Sequence, residues 1–122
     1  MAAKLVVKET NHMYSDWFET WLLVDETPVA YVKLSSKDEY KGNMCICTIE
    51  TREEYRRQGY SKLLLELAEK EFNKPLLTNA SFTPEGFAAL ASRPVLPGYE
   101  PATKASWESM DFVRDWDTLQ GP

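Results

Sequence analysis

Apolar and polar positions divide this chain into short blocks whose periods point to a mixed sheet with helices. Leu5-Val6-Val7 is a compact apolar run and predicts a first strand. Trp17 to Asp25 alternates loosely and is rich in aromatic and β-branched residues, as strands are. Asp25-Glu26-Thr27-Pro28 supplies turn chemistry, and Val29 to Leu34 reads as the returning strand of an antiparallel hairpin. Ser35 to Asn43 is polar, contains Gly42 and is expected to be a loop. Met44 to Thr51 is the next strand. Strict alternation puts Met44, Ile46 and Thr48 on one face and Cys45, Cys47 and Ile49 on the other.

The period then changes from two to about 3.6. Leu64, Leu67, Ala68 and Phe72 form an apolar stripe with Leu63 on its flank, which predicts a helix from about Tyr60 to Phe72. Lys62, Glu66 and Lys70 follow one another at i,i+4 on the opposite side and read as a solvated ladder. Pro75 closes this region, and Leu76-Leu77-Thr78 predicts a short strand. Thr83-Pro84-Glu85 has the form of a helix start, with a hydroxyl cap, proline in first position and an acid in the first turn. That helix should stop near Arg93-Pro94. Val95 to Ala105 is broken by Pro97 and Pro101 and reads as an ordered loop, and Trp107 to Trp116 as a last strand. The resulting fold class is α/β, a mixed sheet flanked by helices. Its central strand–helix–strand unit is expected to be a right-handed crossover between parallel strands.

Composition narrows the function classes. The 122 residues fit one domain, 1–122, and a hydrophobic share of 43% supports one core. Four Trp, six Tyr and five Phe supply large apolar surfaces, which argues against disorder. The formal net charge of -5 argues against a general nucleic-acid coat, and is compatible with a cationic substrate such as an amine. Cys45 and Cys47 are two apart and, with one His, cannot complete a four-ligand zinc site without carboxylates, so they are expected to be reduced thiols in the core and no metal is expected. No charged-then-apolar leader opens the sequence, and no run approaches the roughly eighteen apolar residues of a membrane span. A soluble, cytoplasmic protein with no membrane partner is the expectation.

The candidate chemistry lies in Ile49-Glu50-Thr51-Arg52-Glu53-Glu54-Tyr55-Arg56-Arg57-Gln58-Gly59-Tyr60-Ser61. A strand ends here, a short loop turns and a helix begins. The first turn of a helix offers backbone N–H groups without intrahelical acceptors, and the helix dipole adds partial positive charge. Gly59 allows a positive φ or a close backbone approach, and Arg56 and Arg57 add full charges. Together they suit a phosphate or pyrophosphate. The Walker pattern and the three-glycine dinucleotide pattern are both absent.

Arg56-Arg57-Gln58-Gly59-Tyr60-Ser61 resembles the Q/R-x-x-G-x-G/A motif that the GNAT superfamily of N-acetyltransferases carries between its fourth strand and the next helix. Glu54-Tyr55 before it and Leu63-Leu64 after it are similar to the family's flanks. The resemblance covers Cys45 to Phe72 and extends to the preceding hairpin. It implies a splayed parallel strand pair and acetyl-CoA as co-substrate. It further implies cofactor contacts from Ile49, Thr51, Arg56, Arg57, Gln58, Gly59, Tyr60 and Ser61. The sequence departs from the family in three places. Ser61 stands where the family has Gly or Ala, though it is still small. Too few residues separate the first strand from Trp17 for the family's usual helices. The segment from Thr83 to Ala91 contains Phe87 but no Tyr to act as acid for the leaving thiolate.

The resemblance implies direct transfer of an acetyl group from the thioester to an amine, on a small molecule or a macromolecule. Glu50 is the first candidate for the base that takes the amine proton, with Glu53 and Glu54 as alternatives. A backbone N–H near Ile49 to Thr51 would face the thioester oxygen. Tyr99 is the candidate acid. Tyr60 reads either as a cover for the pantetheine arm or as the first core residue of its helix. His12 reads as a surface residue. The missing helices lead to the expectation of a homodimer, with Trp17, Trp21 or the segment near Trp116 in the contact. Two other classes stay open: a degenerate domain that binds coenzyme A or a protein without catalysis, and an acidic module whose arginine turn binds another phosphate.

Overall fold

The computed structural model describes residues 2–11, 13, 16–37, 42–78 and 115–119. Among them lies a five-stranded sheet, β1 (Ala3–Asn11), β2 (Asp16–Val24), β3 (Thr27–Ser36), β4 (Met44–Thr51) and β5 (Leu76–Thr78), in that spatial order. One helix, α1 (Tyr60–Phe72), connects β4 to β5, which run parallel; the other pairs are antiparallel. The predicted α/β class with a mixed sheet is the fold observed.

β1 is longer than its apolar centre, because pairing with β2 along the full length from Ala3↔Val24 to Asn11↔Asp16 carries its polar ends into the ladder. β2 and β3 are joined at Asp25 and Glu26, which both have positive φ, 49° and 67°. Positive φ at both central residues matches the right-handed twist of a hairpin, although such turns ordinarily favour Asn and Gly. Lys4 Nζ bridges to Glu26 at 2.8 Å, and Asp25 N–H donates to Ala2 O at 2.8 Å, so the turn is fastened to the start of β1. Pro28 therefore belongs to the strand rather than the turn. The register slips beside it: Leu22 pairs Ala30 while Leu23 pairs Pro28. Such a bulge accommodates a residue that cannot donate to the ladder.

β4 holds a second bulge, and it corrects the expected assignment of faces. Lys33 pairs Thr48 while Leu34 pairs Ile46, so Cys47 is the extra residue. Residues directly opposite in a ladder share a face. Ile46 and Ile49 thus lie on the side of Leu34 and Val32, and both pack into the main core. Thr48 and Glu50 lie on the other side, opposite Lys33 and Tyr31. The expectation that Thr48 keeps company with Met44, and Ile49 with Cys45, fails because the bulge inverts the alternation after Cys47.

α1 covers the first face. Leu64, Leu65 and Ala68 are buried, and Leu63, Leu67, Phe72 and Tyr60 pack at the margin of a core made by Leu22, Val32, Leu34, Met44, Ile46 and Leu76. Leu65, outside the predicted stripe, is only 1% exposed. Phe72 meets the Phe18 ring edge-on at 5.1 Å. Lys62, Glu66 and Lys70 are exposed as expected. The helix ends on Asn73 in the left-handed region at φ 51°, before Pro75 is reached.

The second face carries Trp21 and Tyr31, both wholly buried, with ring centroids 4.5 Å apart. Trp116 stands edge-on to Trp21 at 5.7 Å. Trp116 lies in a turn rather than the expected strand. The Asp115 carboxylate accepts the N–H groups of Asp117 and Thr118 at 3.1 and 3.2 Å, and the Thr118 side chain first, then these backbone bonds, hold its carboxyl below the usual range. The helix expected at Thr83, the loop from Val95 and the rest of the expected last strand fall outside the described residues.

Candidate functional site

The site is built where β4 hands over to α1. After Thr51 the chain makes a short 3-10 turn, Glu53–Tyr55, closed by Tyr55 N–H donating to Arg52 O at 2.8 Å. Arg56 leaves this turn extended, and Arg57 and Gly59 then adopt left-handed φ of 65° and 80°. Gly59 is the N-cap of α1. A Cβ built on Gly59 would meet nothing within 4 Å, so the φ angle, rather than crowding by the protein, is what calls for glycine. The same open space lets a ligand reach the backbone.

Three features leave this helix end electrostatically positive. Gly59 offers no side-chain cap, and the first turn contains no acid. Among the described residues, the N–H groups of Arg57, Gln58 and Gly59 have no backbone acceptor. Arg56, Arg57, Gln58 and Gly59 are all exposed. Unpaired N–H groups at an uncompensated helix dipole form a place for an anion.

The two arginines play different parts. Arg56 Nε donates to Thr51 O at 3.0 Å, so its guanidinium fastens the loop to the strand end. Arg57 makes no such bond among the described residues and stands exposed at the turn. Below them, Thr51 Oγ1 and Ser61 Oγ are 2.5 Å apart and share a hydrogen bond. Ser61, the departure from the small Gly or Ala of the motif, thus ties the first turn of α1 to β4. Arg52, outside the predicted set, braces the loop from behind. Its side chain reaches Glu54 at 3.1 Å, Asp117 at 3.6 Å and Pro28 O at 3.4 Å, and its N–H donates to Val29 O at 2.8 Å. No motif signals it; its partners come from three separate parts of the chain.

Of the predicted cofactor residues, Arg57, Gln58, Gly59 and Ser61 come together at the helix start. Tyr60 is half-buried, packs on the main core and lies edge-on to Tyr55 at 6.3 Å, which favours the core reading over a cover for a ligand. Ile49 points into the core beneath α1. Glu50 is half-buried on the opposite face, across from Tyr31, and is therefore separated from Ile49 by the sheet itself. Glu53 and Glu54 are exposed in the 3-10 turn. Tyr99 and His12 lie outside the described residues. Trp21 is wholly buried by its own chain, against Tyr31 and Trp116, so it is not free to form an intersubunit contact; Trp17 is half-buried with Lys33 Nζ 4.6 Å over its ring.

β4 and β5 pair from Met44↔Leu76 to Ile46↔Thr78. From Cys47 to Thr51, β4 has no β5 partner among the described residues, and the chain beyond Thr78 is not described. Cys45 and Cys47 are free thiols. Cys47 is half-buried, and its thiol is lowered to about 7, chiefly by the Cys45 thiol beside it and further by Ser35, Lys33 and Lys37, against the opposing effect of burial.

Among the described residues, no cluster of His, Cys, Asp or Glu could hold a metal ion, and no helix is long and apolar enough to cross a membrane. Comparison with curated proteins and with solved structures returns no match. The model of the acetyltransferase (GNAT) family matches residues 4–83, which is about two thirds of the chain and takes in β1 from Lys4 onward, β2 to β5, α1 and the Arg56–Ser61 turn. The chain belongs to the GNAT acetyltransferase family.

Proposed function

We propose that this protein is an acetyl-CoA-dependent N-acyltransferase that moves an acetyl group from the thioester to an amine by direct attack. The observation that carries the reading is the start of α1, where a helix without cap or acid follows the left-handed pair Arg57 and Gly59. The N–H groups from Arg57 to Ser61 would receive the pyrophosphate, with Arg57 as the cation beside it. The pantetheine arm would then lie along the edge of β4 from Thr51 towards Cys47, pairing with its backbone as an added strand does.

The thioester oxygen would take a hydrogen bond from an N–H of β4, which lowers the barrier by stabilising the charge that develops on that oxygen. The amine attacks as the neutral base, so its proton must leave. Glu50, half-buried on the face away from α1, would accept it there, where an acceptor would approach without crossing the helix. The acid for the leaving thiolate is assigned to Tyr99. The acceptor is an amine on a small molecule or a macromolecule.

Thiol release from acetyl-CoA, followed with a panel of amines, tests the reading. Release that depends on the amine supports it. Tight binding of coenzyme A with no release for any amine would instead support the degenerate binding domain, and equal binding of ATP and coenzyme A would support a general phosphate site.

A further inference from the structure

Among the described residues β1 is the marginal strand of the sheet, and its outer edge carries none of the usual guards. An edge strand is ordinarily kept from pairing with another chain by proline, by a bulge or by outward lysines. β1 contains no proline and pairs all nine of its residues with β2 without a slip of register. Its two lysines are drawn back onto their own chain: Lys4 Nζ bridges to Glu26 at 2.8 Å, and Lys8 Nζ donates to Leu119 O. Burial falls away abruptly at this strand. Thr20 of β2 is wholly buried, whereas Val7, its partner across the ladder, is 37% exposed. Ala3, Lys4, Glu9, Thr10 and Asn11 are exposed as well. Among the described residues Val7 is the one large apolar side chain that a strand leaves exposed, and it is the middle residue of β1.

The two faces of β1 follow from its partners. Leu5 opposes Leu22 and packs in the core beneath α1, so Leu5, Val7 and Glu9 lie on the α1 face. Val6 opposes Trp21 and packs with it, so Lys4, Val6, Lys8 and Thr10 lie on the other. Two copies of one edge strand related by a two-fold axis meet antiparallel, and residues directly opposite share a face. The axis therefore passes through a residue. An axis at Val6 would set Lys4 against Lys8 on both sides, and one at Lys8 would set that lysine against itself; like charges directly opposite destabilise a ladder. An axis at Val7 opposes no like charges and is the register that pairs the whole strand, with Ala3 facing Asn11 at each end. Val7 then faces its own copy, and Leu5 faces Glu9. Leu5 lines a groove of about 340 Å³ between β1 and α1, together with Ala3, Lys4, Leu67, Lys70 and Glu71. Glu9 of the second copy comes to the mouth of this groove, where Lys4 and Lys70 outnumber Glu71.

We propose that the outer edge of β1 is a homodimer surface, on which a second copy of this chain adds its own β1 antiparallel about a two-fold axis at Val7. Pairing along the full strand forms roughly eight backbone hydrogen bonds and joins the two five-stranded sheets into one continuous sheet. The contact goes beyond the transferase reading and does not depend on it. β2 and β3 separate β1 from β4, so each copy keeps its α1 start open.

Light scattering of the full chain, from low to high micromolar concentration, is the first test. The expected mass at the upper end is twice the 14.0 kDa of the chain. Val7→Lys sets two charges against each other on the axis and should weaken association about tenfold or more, with the far-UV circular dichroism unchanged. Cross-linking is the second test. In a chain carrying Cys45→Ala and Cys47→Ala, Val7→Cys should be joined to its copy by a short bifunctional thiol reagent. Thr10→Cys should not be, because it faces Lys4 and stands about 20 Å from its own copy. Cross-linking decides alone if Val7→Lys does not fold. A monomer at every concentration would overturn the inference and leave this edge to an extended segment of another protein. A dimer that Val7→Lys leaves intact, or that Val7→Cys fails to cross-link, would overturn it by placing the contact elsewhere.

Discussion

The side-chain oxygens of Thr51 and Ser61 meet at 2.5 Å, joining the last residue of β4 to the first turn of α1. This bond fixes the helix start relative to the strand edge, so it sets the distance between the two parts of the proposed CoA path. Ser61→Ala and Thr51→Val should each destabilise the fold by about 1 kcal/mol, and the double variant by less than the sum. Urea unfolding of the four proteins measures this. Full additivity would mean that the hydroxyls do not act on each other.

Gly59 separates backbone conformation from side-chain crowding. At φ 80° an alanine strains the backbone by about 1–2 kcal/mol, yet its methyl group meets no protein atom. Gly59→Ala should therefore fold and weaken acetyl-CoA binding about tenfold. Gly59→Val, whose branched side chain also fills the approach to the N–H groups, should abolish it. Calorimetric titration of both reports the outcome; unchanged affinity in the valine variant would place the phosphates elsewhere.

The arginines should divide stability and binding between them. Arg57→Ala should raise the Kd for acetyl-CoA several-fold and flatten its dependence on salt, since an exposed cation facing a phosphate acts through screened charge. Arg56→Ala should lower thermal stability more than Arg57→Ala, because it removes the 3.0 Å bond to Thr51 O. A reversed pattern in thermal melts and salt titrations would exchange the two roles.

Leu65 tests the core of the helix side. It is 1% exposed, and Leu65→Ala should cost about 2–5 kcal/mol. Leu63→Ala, at the half-buried margin, should cost less. Chemical denaturation compares the two.

What was legible in the sequence was local. Arg57, Gly59 and Ser61 lie within five residues, and an anion site at a helix start depends on little beyond the backbone it begins with. Tyr60 to Phe72 was legible for the same reason, through its period and the Pro75 that follows it. The features that escaped need a partner strand to define them. Cys45, Cys47 and Ile49 alternate without fault in the sequence, and only the slip of Lys33 and Leu34 against Thr48 and Ile46 shows that Cys47 is the extra residue. Asp25-Glu26 lacks the Gly or Asn that marks a tight hairpin, so the turn was read as reaching Pro28. The surplus of tryptophan suggested an interface, yet Trp21 and Trp116 pack on each other.

The placement of the pyrophosphate is the centre of this picture, and backbone amide NMR reports it residue by residue. Titration of the labelled protein with acetyl-CoA should shift the amide signals of Arg57, Gln58, Gly59, Tyr60 and Ser61 in one saturable transition, with inorganic pyrophosphate moving the same signals more weakly. Saturable binding that leaves these five amides unmoved and shifts others instead would contradict it.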